Sequence, residues 1–176
     1  MKASPLDSPY QAFWCEENIW HLAAAPLIGV GERYVLIITG TSGHVACWEQ
    51  QLAPPGQVIA WDYHVVLAVR DAGWVIWDFD TRLGCPVPMQ TWSSHTFSGR
   101  TRVATDYQPR FLMIPAHEYR AQFTTDRAHM RDPDGNWLQP PPDWPAPQVP
   151  NGVSLQAYLH NARAGLTYEQ LETKIN

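Results

Sequence analysis

The sequence predicts a single α+β domain, and three observations lead to that class. First, 176 residues with 45% hydrophobic and 16% charged side chains supply one full core and are too few for two ordinary domains. Second, β-branched and aromatic runs alternate with short Gly-, Asp- and Ser-bearing turns, the pattern of an antiparallel sheet. Third, nine Trp and sixteen Pro favour large rigid side chains and extended connections over long helices.

In chain order, the first helix is predicted over Cys15–Ala25. Cys15, Ile19, Leu22 and Ala23 recur at the spacing of one helical face, and Pro26 closes the segment. Cys15 therefore stands in the first turn on the apolar side. Tyr34–Thr39 and His44–Trp48 read as strands, and Gly40-Thr41-Ser42-Gly43 between them predicts a hairpin.

The stretch from Val58 to Asp80 carries the most information. Two apolar runs, Val58–Arg70 and Trp74–Asp80, flank Asp71-Ala72-Gly73 and predict a second hairpin. With those three residues as the loop, Arg70 faces Trp74, Val66 faces Asp78 and His64 faces Asp80. His64 and Asp78 become diagonal neighbours on one face, about 7–8 Å apart at the backbone and within side-chain reach. The odd positions Ile59, Trp61, Tyr63, Val65, Leu67 and Val69, with Val75, Trp77 and Phe79 opposite, form a nearly all-apolar face that belongs in a core. The even face gathers Asp62, His64, Asp78 and Asp80 towards one end, where ionisable groups need partners or a cleft. A helix starting at Cys15 could deliver its thiol there by packing on that even face.

Farther along, Phe111–Ile114 reads as a strand and Ala116–Phe123 as a short helix behind Pro115. Asp132-Pro133-Asp134-Gly135-Asn136 is a turn, and residues 133–150, with Pro140-Pro141-Pro142, are expected to form an extended surface strap. Residues 151–176 are expected to be a helical end, Ser154–Asn161 followed by Thr167–Ile175. Thr167 and Gln170 would cap the last helix reciprocally.

Charge and cysteine usage narrow the function classes. Twelve Lys and Arg against seventeen Asp and Glu give a net charge of −5, the wrong sign for neutralising phosphates, so nucleic acid is not an expected partner. The opening Met1–Asp7 shows no apolar leader, and no run approaches the roughly 18 apolar residues of a membrane span. The expectation is a cytoplasmic protein with no membrane partner. Cys15, Cys47 and Cys85 are widely spaced without a CxxC pair, which argues against a disulfide framework or structural zinc. Cys47 in a strand and Cys85 in the Leu83-Gly84-Cys85-Pro86 loop read as packing residues.

A thiol in the first turn of a helix meets unpaired backbone N–H groups and the positive end of the helix dipole, both favouring a thiolate. Glu16 and Glu17 oppose it, and a cysteine is commonly just a small buried hydrophobe. Of seven histidines, only His64 lies within an apolar strand on a face with carboxylates. It could be a core histidine satisfied by one hydrogen bond. Asp78 supports another reading, because a carboxylate accepting from one imidazole nitrogen fixes the tautomer and leaves the other as a base, as in a Cys–His–Asp arrangement. A divalent metal on Asp62, His64, Asp78 and Asp80 is a third reading, though without a ligand-spacing signature.

Tyr10–Trp20 with Cys15-Glu16-Glu17-Asn18-Ile19-Trp20, then Trp48-Glu49-Gln50-Gln51, then Trp61-Asp62-Tyr63-His64-Val65-Val66-Leu67, resemble the protein N-terminal glutamine amidohydrolases. The likeness continues in order through Asp78-Phe79-Asp80-Thr81, Thr125-Asp126-Arg127-Ala128-His129-Met130, and Gly135-Asn136-Trp137 with Pro140-Pro141-Pro142. It departs at Ala128, where the family pattern has serine, in the short stretch from Leu22 to Tyr34, and in the tail after Val149. The resemblance implies a papain/transglutaminase-like fold with its active-site cysteine, Cys15, at a helix N-terminus and a Cys15–His64–Asp78 triad, with no cofactor and no metal. It implies hydrolysis of the side-chain amide of an amino-terminal glutamine to glutamate and ammonia. The expected partners are peptides or proteins with that free terminus, and the expected acting species is a monomer. Glu17, Asp62 and Asp80 are candidates to hold the free α-ammonium, being close to the triad in sequence. Arg127 is expected to pair with an acid, and Trp61, Trp137 and Trp144 to pack core and strap. Two other functions use the same features: a transglutaminase-like deamidase of internal glutamines, and a non-catalytic module that captures protein amino termini.

Overall fold

The computed structural model describes residues 8–26 and 31–175. The opening Met1–Asp7 and part of the connection between Leu22 and Tyr34 lie outside the described residues. Chain order runs α1 (Cys15–Leu22), β1 (Glu32–Thr39), β2 (Val45–Cys47), β3 (Ile59–Trp61), β4 (His64–Arg70), β5 (Trp74–Trp77), β6 (Val87–Pro88) and α2 (Met89–Thr96). It continues through β7 (Arg110–Pro115), α3 (Ala116–Gln122), β8 (Phe123–Thr124), β9 (Val153–Ser154), α4 (Leu155–Arg163) and α5 (Tyr168–Ile175). Among the described residues no helix is long and apolar enough to cross a membrane.

The architecture is α+β: a five-stranded sheet in the order β6-β5-β4-β1-β7, antiparallel at every pairing, with helices on both faces. Both faces are covered, so the central strands are apolar at consecutive positions, and Val35, Leu36, Ile37 and Ile38 are all fully buried. Val35, Ile37, Val65 and Leu67 pack against Ile19 and Leu22 of α1, Tyr119 of α3, and Leu155 and Tyr158 of α4. On the other face Leu36, Ile38, Val66 and Ile76 meet Met89 and Trp92 of α2, Leu171 of α5 and Val45 of β2.

The β4–β5 hairpin has the expected register, Arg70 opposite Trp74 and Leu67 opposite Trp77. Its loop is closed by Asp71 N–H donating to Gly73 O at 3.2 Å. Three expectations are corrected. The run Val58–Arg70 is two strands: the chain breaks at Asp62 and Tyr63, where Thr39 Oγ1 donates to Asp62 O at 2.8 Å, and β3 pairs with β2 in a separate sheet. Ile59 and Trp61 consequently pack with the α2 side, while Tyr63 and Val65 pack with the α1 side.

Second, β1 and β2 form no hairpin, because both edges of β1 are already taken by β4 and β7. The turn itself exists, with Gly43 N–H donating to Gly40 O at 3.0 Å. A Cβ at Gly40 would sit 2.1 Å from the carbonyl oxygens of Asp106 and His44, so this glycine serves a close backbone approach. Third, α1 packs on the odd face of β4, not the even one. The even face around Val66, Ala68 and Ile76 is occupied by α2, a Ser- and Thr-bearing helix that the sequence did not signal.

Towards the carboxyl end, the Ser154 hydroxyl accepts from Ala157 N–H at 3.2 Å at the start of α4. Thr167 and Gln170 bond reciprocally at 2.9 and 3.2 Å ahead of α5. The proline-rich stretch between them and Met130 has no regular strand or helix before β9, and Pro142 and Pro147 are buried. It lies over the start of α1, where Trp14 Nε1 donates to Pro140 O at 2.9 Å.

Candidate active site

His64 is the first residue of β4 after the chain break, and Asp78 directly follows the last residue of β5. The hairpin register therefore sets both. His64 Nε2 lies 2.9 Å from Asp78 Oδ1, with the two side chains 3% and 0% exposed. Asp78 Oδ1 also accepts the Asp80 N–H at 3.0 Å, and Oδ2 accepts Trp92 Nε1–H at 2.9 Å. Each carboxylate oxygen is thus satisfied. Trp61 stacks on the His64 ring at 6.2 Å between centroids.

Burial opposes the charge on Asp78, but the His64 imidazole and the donors from His64, Trp92 and Asp80 outweigh it and hold the carboxyl below its ordinary range. Burial likewise opposes a cationic His64, and Asp78 overcomes it, so the imidazole sits above its ordinary 6.5. With Nε2 committed to Asp78, Nδ1 is the nitrogen left for other chemistry.

Cys15 opens α1 behind Trp14, whose side chain makes no capping bond. The entry is set by Asn18, which bonds the Gln11 N–H and C=O at 2.8 Å each, and by Phe13 in the left-handed region at φ 71°. Cys15 is partly exposed. Cys15 packs against the cluster that contains Val65, the neighbour of His64, so α1 reaches the start of β4 even though it packs on the odd face. Burial, then Glu16 and Asp80, push this thiol well above its ordinary range. It stays protonated near neutrality, and its Sγ–H donates to Glu16 Oε2 at 3.8 Å.

The three acids considered for α-ammonium binding are placed very differently. Glu17 is fully buried in a bidentate pair with Arg127, both contacts at 2.7 Å, and its Oε2 also accepts Trp144 Nε1–H at 2.8 Å. Arg127 has thus found its acid. Asp62 is 81% exposed and faces His44 at 3.2 Å. Only Asp80 adjoins the His64–Asp78 pair, where its Oδ1 accepts the Tyr10 hydroxyl at 3.0 Å. His64, Asp78 and Asp80 each offer one ligand atom, all within 4.8 Å, so a cation could meet them there; Nε2 and both Asp78 oxygens already have partners.

Sequence reasoning set Glu16 against the thiolate, as the structure bears out, and missed three neighbours of the site, Tyr63, His129 and Trp92. Glu16, Tyr63 and His129 form a partly buried polar group beside the thiol, and Trp92 supports Asp78 from α2. His129 stood in a quoted motif without assigned chemistry, and Trp92 had no local signal.

The class into which these features fall is the amidases: a model of the family described as N-terminal glutamine amidase matches residues 10–170. The chain belongs to that family. The match runs into the tail beyond Val149. Among relatives, the protein N-terminal glutamine amidohydrolases of Bos taurus and Homo sapiens are each 34% identical over 77% of this chain and 69% of their own. That of Danio rerio is 32% identical over 80% of this chain and 73% of its own.

Proposed function

We propose that this chain is a thiol amidohydrolase that converts amino-terminal glutamine of peptides and proteins to glutamate and ammonia. The observation that carries the reading is the buried His64–Asp78 pair at 2.9 Å beside a helix that starts at Cys15. Family membership selects the substrate. Cys15 gives its proton to His64 Nδ1 and its sulfur attacks the side-chain carboxamide carbon. The uncapped first-turn N–H groups of α1 receive the developing oxyanion, at about 2.7–4 kcal/mol per donor. The tetrahedral species collapses with cleavage of the C–N bond, and His64 returns the proton to the departing ammonia. Water deprotonated by the same imidazole then hydrolyses the thioester, releasing glutamate and restoring the thiol. Asp78 keeps the ring oriented throughout.

Asp80, held by Tyr10 at the rim of the pair, is the acid we assign to the substrate's α-ammonium. A cation there answers a carboxyl that burial, and then Asp78, raise above its usual range although His64 and Tyr10 pull it down. The steps call for no cofactor. The fold would be papain/transglutaminase-like, one catalytic domain acting as a cytoplasmic monomer.

Ammonia release from short peptides beginning with Gln, Asn or acetyl-Gln, for the parent and Cys15→Ala, tests this. Release from the Gln peptide alone, lost in Cys15→Ala, is expected. Equal turnover of the acetyl-Gln peptide would instead mark a deamidase of internal glutamines. Tight binding without ammonia, unchanged in Cys15→Ala, would mark a capture module.

A further inference from the structure

Two buried glutamates follow Cys15, and only one has a permanent counter-charge. Glu17 is locked to Arg127. Glu16, 0% exposed, accepts the Tyr63 hydroxyl at 2.9 Å and the Cys15 thiol at 3.8 Å on Oε2. Its Oε1 has no hydrogen bond, and His129 Nε2 stands 3.2 Å away, off the line for one. A carboxylate at this depth is strongly disfavoured without a cation, and among the described residues His129 is the one facing it.

Tyr63 fixes where the histidine proton sits. Its single hydroxyl hydrogen points to Glu16, so its oxygen accepts from His129 Nε2, 3.2 Å distant. Protonation of the other ring nitrogen then makes an imidazolium against Glu16. The ring is 15% exposed and forms part of the wall of a cavity of about 420 Å³ shared with Thr125, Asp126 and Ser154, whereas Glu16 is fully buried. The titratable and charged groups around the ring are Glu16 from α1, Tyr63 ahead of β4, and Asp126 and Arg127 of its own loop. Arg127 is engaged by Glu17, and Asp126 Oδ1 accepts the Ala128 N–H at 2.9 Å.

We infer that His129 is a positioning residue for the deamidation: through Glu16 and the Tyr63 hydroxyl it supplies the positive charge that lets the Cys15 proton leave. An anionic Glu16 beside the sulfur repels a thiolate, and an imidazolium on the far side of that carboxylate cancels the repulsion. The inference rests on Cys15 being the nucleophile.

The test is iodoacetamide alkylation of Cys15 across pH, read by peptide mass spectrometry, for the parent, His129→Asn, Glu16→Gln and the double variant. His129→Asn should move the alkylation midpoint up by about one pH unit, so that alkylation at pH 7 and kcat on a Gln peptide both fall about tenfold. KM should change less than about twofold, because the effect acts on ionisation, not on binding. Glu16→Gln should move the midpoint down, and in the double variant the two shifts should largely cancel. An unmoved midpoint in His129→Asn, or no cancellation in the double variant, overturns the inference. If His129→Asn fails to fold, Glu16→Gln decides alone, and alkylation no faster than the parent's at pH 7 overturns it. Turnover surviving in Cys15→Ala would sink the nucleophile reading instead, while the alkylation midpoints would still report the coupling of His129 to the thiol.

Discussion

The imidazole side and the thiol side of the site are built in opposite ways. His64 and Asp78 are fourteen residues apart and are brought together by one hairpin, with every buried oxygen of the carboxylate bonded. The thiol side is assembled from afar: Glu17 meets Arg127 across 110 positions, and Trp14 meets Pro140 across 126. There one buried acid is saturated by an arginine and its neighbour faces a histidine. The difference teaches that the proposed base is a finished local unit. The surroundings of the proposed nucleophile, by contrast, are set by how the segment carrying Arg127, His129 and Trp144 packs over α1.

The largest expected effect falls on the local unit. Asp78→Asn keeps the shape and the neighbouring strands but no longer enforces the tautomer, so kcat should fall about 10⁴-fold while the thiol side stays intact. The pH dependence of stability follows from the two shifts. Asp78 is lowered, so its contribution is present above the ordinary carboxyl value of 3.8 and disappears as pH falls through its folded value. His64 is raised, so its contribution is present below 6.5 and disappears as pH climbs through its folded value. Urea unfolding across pH should therefore show a plateau between the two in the parent and a flatter profile in Asp78→Asn. A variant that keeps kcat within tenfold would break the comparison, since the imidazole would then need no orienting acid.

What the sequence made legible divides along the same line. Arg70 opposite Trp74 follows from a three-residue loop, and the pairing of His64 with Asp78 follows from that register. Cys15 at the head of a helix could be read from apolar spacing alone. The hairpin proposed between β1 and β2 failed because a glycine-flanked turn carries no information about which edges of β1 are free. The run through Asp62 reads as continuous because β3 and β4 are both rich in β-branched or aromatic residues, and the break shows only in long-range contacts, Thr39 with Asp62 and β3 with β2. That Glu16 opposes a thiolate was legible from adjacency, but Tyr63 and His129, which flank it, were not, because they approach from separations of 47 and more than 100 residues. Periodicity reports on neighbours a few residues apart, and such contacts lie outside its reach.

The next effect belongs to the assembled side and to stability. Arg127→Gln leaves the carboxylate of Glu17 buried without its cation, which costs about 3–5 kcal/mol in comparable pairs. Glu17→Gln placed on top should recover much of that loss, because the stranded charge is gone. Denaturant midpoints of the parent and the two variants measure it. A loss below about 1 kcal/mol in Arg127→Gln would mean that the proline-rich segment is held by its apolar contacts alone, and the two glutamates would cease to be a contrast.

The smallest effect probes how finished the local unit is. Trp92→Phe preserves most of the ring that packs against Phe97 at 5.4 Å but removes the N–H that Asp78 Oδ2 accepts. An unsatisfied buried acceptor costs about 1–3 kcal/mol. The Trp92 bond is one of the influences lowering Asp78, so its loss lets the carboxyl rise, and the acid-side decline in stability should begin at a higher pH than in the parent. The Oδ1 contact with His64 remains, so kcat should fall less than about tenfold. Were Trp92→Phe to match Asp78→Asn in kcat, the orientation of His64 would depend on α2 as much as on the hairpin, and the imidazole side would be as long-range a construction as the thiol side.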